Sequence, residues 1–125
     1  MTAAVPFDAQ MEMLESPAST AVIRTAGRLD ASTASRLERV LTDARTKGSR
    51  VILLNLEGLE YISSSGLRVL LSARTQTRQA GGDVFLFALS QPVREVFDMV
   101  GFSAAFNIFD TMDQALQAAS ILAGK

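Results

Sequence analysis

Val51-Ile52-Leu53-Leu54-Asn55-Leu56 leads through Gly58-Leu59-Glu60-Tyr61-Ile62 into Ser63-Ser64-Ser65-Gly66-Leu67. The first run is apolar at odd and even positions alike and is too short for a comfortable helix. It fits a central strand covered by helices on both sides. Beyond the serines, Leu67, Leu70, Leu71 and Arg74 recur at helical spacing as far as Ala80-Gly81-Gly82. The serines therefore open a helix, and a buried strand hands the chain directly to its start.

Working outward, Val84 to Leu89 is a second apolar run and predicts another buried strand. Ser90, with Pro92 just inside, suits a helix start running to about Val100, where Gly101 ends it. Ala105 to Phe109 reads as a short strand. Thr111-Met112-Asp113-Gln114 has capping-box spacing, with the threonine bonding forward and the glutamine back. A closing helix carries Ala115, Leu116, Ala119 and Leu122.

Upstream, Gln10 to Glu15 alternates like a half-buried strand, Ser16-Pro17-Ala18-Ser19 reads as a turn, and Thr20 to Ala26 returns as a second strand. Gly27-Arg28-Leu29-Asp30 reads as a loop, with Asp30 or Ser32 capping the next helix. In that helix Leu37, Val40, Leu41 and Ala44 share one face, and Gly48 stops it. Two strands followed by alternating helices and strands predict an α/β fold: a mixed sheet of about five strands with about four helices, parallel in its later strands.

The 125 residues fit one domain over 1–125, with its core from about residue 10 to 122. Hydrophobic residues make up 48% and charged residues 20%, the composition of a folded chain. Twelve basic against 13 acidic residues leave a net charge of −1, without the basic excess that draws nucleic acid. Absence of histidine and cysteine removes the commonest general base, thiolate metal sites and disulfides. A serine hydrolase built on Ser64 lacks a base, because the only lysines are Lys47, beside a helix-ending glycine, and Lys125. No enzyme activity and no metal are expected. The amino terminus lacks signal-peptide character and the apolar runs are too short to span a bilayer, so a soluble cytoplasmic protein without membrane insertion is expected.

Gly27-Arg28-Leu29-Asp30, the buried strand, Tyr61-Ile62-Ser63-Ser64-Ser65-Gly66-Leu67-Arg68-Val69-Leu70-Leu71 and Gly81-Gly82 lie in one order. In that order the chain resembles the STAS domain of bacterial anti-sigma-factor antagonists and sulfate transporters, from about Met11 to Ala119. In the antagonists the motif reads Asp-Ser-Ser/Thr-Gly-Leu, and the serine after the aspartate is phosphorylated. The resemblance makes Ser64 the phosphoacceptor, with Ser63 and Ser65 as neighbouring alternatives. It makes Asp30, Ser63, Ser65, Gly66 and Leu67 partner-binding residues. Ser63 departs from the pattern, standing where the aspartate would be.

The implied function is a phosphorylation-controlled switch in transcription regulation, sequestering an anti-sigma factor while Ser64 is bare. The implied partners are that anti-sigma factor, itself a serine protein kinase of the histidine-kinase-like ATPase type, and a serine phosphatase. No cofactor is implied. An alternative is a STAS accessory subunit of a lipid-transport complex, acting without phosphorylation. From the residues alone, a serine run before a helix also reads as an N-cap and Asp30 as a helix cap. Phe85, Phe87, Phe97, Phe102, Phe106 and Phe109 read as core, and Arg68, Arg74 and Arg78 as a solvated helix face.

Overall fold

The computed structural model describes residues 5–123. Its strands are β1 (Asp8–Leu14), β2 (Thr20–Leu29), β3 (Val51–Ile62), β4 (Asp83–Phe87) and β5 (Asn107–Phe109). Its helices are α1 (Ala34–Thr46), α2 (Ser64–Gln79), α3 (Gln91–Val100) and α4 (Met112–Ala123), with one 3-10 turn at Phe102–Ala104. The strands lie in chain order across one sheet, β1 antiparallel to β2 and all later pairs parallel. The predicted mixed α/β architecture is thus observed.

Parallel strands laid down in one direction, joined by right-handed crossovers, put every connecting helix on the same face. Accordingly Leu37 and Leu41 of α1, Leu67 and Leu70 of α2, and Val93 and Phe97 of α3 share a core with Ile23, Ile52, Leu54 and Leu86. The other face falls to α4, whose Ala115 and Ala119 pack on Val22, Val51, Leu53, Phe85 and Phe87. Val51–Leu54 is therefore buried on both sides, as its unbroken apolarity requires. The phenylalanines divide likewise: Phe97, Phe102 and Phe106 pack together on the first face, and Phe85 meets Phe109 edge-on at 5.6 Å on the second.

Several boundaries differ from expectation. β2 does not stop at Ala26 but continues through Gly27 and Arg28 to Leu29, so the predicted loop is strand. Gly27 permits this: it has φ +88°, and a Cβ there would stand 2.7 Å from the Pro6 carbonyl oxygen. β3 likewise runs on to Ile62, past two register shifts against β2 in which β3 supplies the extra residue. At the first shift Thr25 Oγ1 donates to the Asn55 carbonyl at 2.8 Å and the Glu57 amide donates to Asn55 Oδ1 at 3.0 Å. Side chains thus satisfy the groups that the irregular ladder leaves over.

β4 ends at Phe87 rather than Leu89, because Ala88 turns to φ +56° while its amide still donates to the Phe109 carbonyl. β5 is shorter than predicted, since Phe102–Ala104 forms the 3-10 turn ahead of it. Ser90 opens α3 with its hydroxyl donating to the Leu59 carbonyl at 2.5 Å instead of capping. The box at α4 has Thr111 Oγ1 accepting from the Gln114 amide, while Gln114 Oε1 accepts from Asp110, one residue earlier than expected.

Candidate functional site

β2 and β3 end side by side, Leu29 opposite Ile62. The next peptide ties them, for the Ser63 amide donates to the Leu29 carbonyl at 2.9 Å. Asp30 and Ser64 each follow by one residue, so the loop into α1 and the start of α2 meet at one corner of the sheet.

The three serines there have different surroundings. Ser63 is the N-cap of α2: its backbone is extended, and its Oγ accepts from the Gly66 amide at 3.3 Å. An aspartate would offer the same acceptor, so serine preserves the helix start while removing one negative charge. Ser65 is half-buried and faces a groove between α1 and α2 with Ala31, Ala34, Ser35, Glu38 and Arg68. Ser64 is exposed, and its hydroxyl makes no hydrogen bond among the described residues. The Ser64 and Ser65 amides, in the first turn, have no backbone partner.

Gly66 and Leu67 were expected at the partner surface, yet both are buried. A Cβ at Gly66 would lie 2.7 Å from Leu29 Cγ and 2.9 Å from Ile62 Cγ1. Gly66 therefore acts by letting α2 seat closely on the ends of β2 and β3. Leu67 roots in the core, with one edge reaching a shallow groove shared with Ser64, Arg68, Leu71, Val100 and Phe102.

Neither Asp30 nor Ser32 caps α1; Thr33 occupies the N-cap position and makes no side-chain cap bond. The Asp30 carboxylate instead accepts from the Ser32 hydroxyl at 2.7 Å and the Ser32 amide at 2.9 Å. Thr33 Oγ1 accepts from the Asp30 amide at 2.9 Å and donates to the Arg28 carbonyl at 2.8 Å. The Ser32 hydroxyl and then its amide hold the Asp30 carboxyl below its ordinary range, helped by Thr33 and the Arg28 charge. Asp30 is consequently a fixed anion beside the serines.

Sequence reasoning passed over two features of this corner. The Arg28 guanidinium lies 4.1 Å from the centre of the exposed Tyr61 ring, a pairing that needed the β2/β3 register to be seen. Leu71, which recurs at helical spacing with Leu67 and Leu70, is exposed, and with Val100 and Phe102 it lines an apolar groove that reaches Ser64. Of the three arginines expected in solvent, Arg68 and Arg78 are exposed. Arg74 is half-buried, 3.9 Å from Asp83 and over the Phe106 ring. No three His, Cys, Asp or Glu side chains gather into a metal site among the described residues. No described helix is long and apolar enough to cross a membrane.

A family model for the STAS domain matches residues 11–115. The chain belongs to the STAS family. It is 39% identical over 92 residues to BtrV of Bordetella bronchiseptica, named as an anti-sigma factor antagonist, covering 74% of this chain and 79% of that one. An anti-sigma-B factor antagonist of Staphylococcus aureus is 30% identical over 79 residues, covering 63% and 73%. Among solved structures, the unphosphorylated anti-sigma factor antagonist SpoIIAA superposes with TM-score 0.74 at 27% identity, over 89% of this chain and 95% of that one. The phosphorylated form of the Bacillus cell-fate determinant SpoIIAA gives 0.68 at 26%, over 89% and 98%. The STAS assignment fits the corner described above, where the motif residues cap and seat one helix.

Proposed function

We propose that the chain is an anti-sigma-factor antagonist of the bacterial cytoplasm that binds its anti-sigma factor through the corner formed by Asp30 and the start of α2. Phosphorylation of Ser64 ends that binding. One observation carries the assignment to Ser64: it is the exposed serine with an uncommitted hydroxyl, whereas Ser63 caps α2 and Ser65 is half-buried. The role is binding rather than catalysis.

In the phosphorylation step the Ser64 oxygen forms a bond to the γ-phosphorus of ATP held by the kinase, the bond to the β-phosphate oxygen breaks, and ADP leaves. The hydroxyl proton passes to a base of the kinase. A serine phosphatase reverses the state by hydrolysis. The added phosphate brings about −1.5 to −2 charges. Two unit charges about 6 Å apart at an effective dielectric of ~20 interact by roughly 3 kcal/mol. A hundredfold loss of affinity needs only about 2.8 kcal/mol, so release requires no unfolding of either protein.

Incubating the chain with its cognate kinase and ATP, followed by peptide mapping, tests this. Phosphate on Ser64 is the expected result. No phosphate anywhere from Ser63 to Ser65 refutes it.

A further inference from the structure

Arg68 stands one helical turn beyond Ser64 on α2 and shares with it the shallow groove floored by Leu67, Leu71, Val100 and Phe102. It also lines the groove on the other flank of α2, with Glu38 of α1. Among the described residues it has no carboxylate within ion-pair distance and no side-chain hydrogen bond. The other cation of this corner, Arg28, is stacked on Tyr61. Arg68 is thus an uncommitted cation with access to both flanks of the helix that Ser64 opens.

We propose that Arg68 is the intramolecular partner of a phosphate on Ser64. The inference rests on reading Ser64 as the phosphoacceptor and adds the group that holds the modified state. An anion at i with a cation at i+4 is the favoured order for such a pair on a helix. Guanidinium and phosphate also match as a two-pronged hydrogen-bonded pair. The charged group that shares a groove with Arg68 from a neighbouring element is Glu38 on α1, while α3 and the 3-10 turn present apolar Val100 and Phe102. Before modification, Arg68 is drawn towards Glu38. Afterwards the dianion, carrying more charge than a carboxylate, draws it to the Ser64 side. A charged pair then stands at the mouth of the apolar groove that the bare protein leaves open.

Phosphoserine can be placed at position 64 of the full chain by an expanded genetic code, without any kinase. The second ionisation of its phosphate is then followed by phosphorus NMR in the wild-type, Arg68→Gln and Arg68→Lys backgrounds. Pairing lowers that ionisation by roughly 0.3 of a pH unit in wild type relative to Arg68→Gln, and Arg68→Lys, which keeps the charge without the two-pronged geometry, retains part of the shift. Equal ionisation in wild type and Arg68→Gln overturns the proposal. As a second readout free of any substitution, the Arg68 Nε–H resonance moves on phosphorylation, and an unmoved resonance equally overturns it. Because the phosphate is installed directly, failure of a kinase to modify Ser64 refutes the proposed function without deciding the role of Arg68.

Discussion

The Ser63 amide donates to the Leu29 carbonyl at 2.9 Å, and this one bond joins the end of β2 to the start of α2. It places the loop carrying Asp30 beside the serines, and the same residue caps the helix through its Oγ. A backbone bond and a side-chain bond from one residue make Ser63 the structural pivot of the corner.

Ser63→Ala keeps the backbone bond and loses the cap. The expected cost is about 1 kcal/mol, read as a fall of roughly 4 °C in the thermal midpoint. Ser63→Asp supplies both an acceptor and a negative charge at the positive end of the helix, so its midpoint equals or exceeds that of wild type. A thermal melt of the three proteins checks both statements.

Gly66→Ala opposes two effects. Alanine favours helix by about 1 kcal/mol, but its Cβ would press on Leu29 and Ile62 at 2.7 and 2.9 Å. Both neighbours are fully packed, at 0% and 2% exposure, so they have little room to yield. Overpacking wins, with a net loss of about 1–3 kcal/mol in the extrapolated unfolding free energy by urea titration.

Asp30 makes stability at this corner depend on acid. Its carboxyl is held below the ordinary value of 3.8, chiefly by the Ser32 hydroxyl, so the folded state binds its proton less readily than the unfolded chain. The stabilisation is therefore present above about pH 4 and is lost as pH falls through the lower folded-state value. Asp30→Asn removes this titration. Urea midpoints across the acid range show wild type losing its advantage over the variant below about pH 4 and holding it above.

The sheet's interior was the most legible part of the chain. Val51–Leu54 and Val84–Phe87 are apolar without alternation because α4 covers one face and α1 to α3 the other. The serine-rich helix start was legible because a hydroxyl before an apolar helical repeat has one dominant use. The far ends of β2 and β3 were not, since two register shifts break the period of two at Glu57-Gly58 and again before Tyr61. Asp30 was misread as a cap because an aspartate just before a helix has two local uses, and the hydroxyl of Ser32 decided for the tighter turn. Leu71 is exposed because the buried stripe of α2 runs through Leu67, Leu70, Ala73 and Thr77, and Leu71 falls beyond its edge. The motif resemblance singled out Ser64 by position, whereas its physical difference from Ser63 and Ser65, an exposed hydroxyl without a hydrogen bond, needed the fold to be seen.

The central claim is that a phosphate on Ser64 acts on the partner and leaves the fold intact. The direct measurement is the dissociation constant of the cognate anti-sigma factor for the bare and the Ser64-phosphorylated chain, taken beside the thermal midpoint of each. A loss of affinity of about a hundredfold or more, with stability of the phosphorylated chain equal to or above that of the bare one, is the predicted result. Equal affinity of the two forms, or a phosphorylated chain that binds weakly only because it has unfolded, would contradict it.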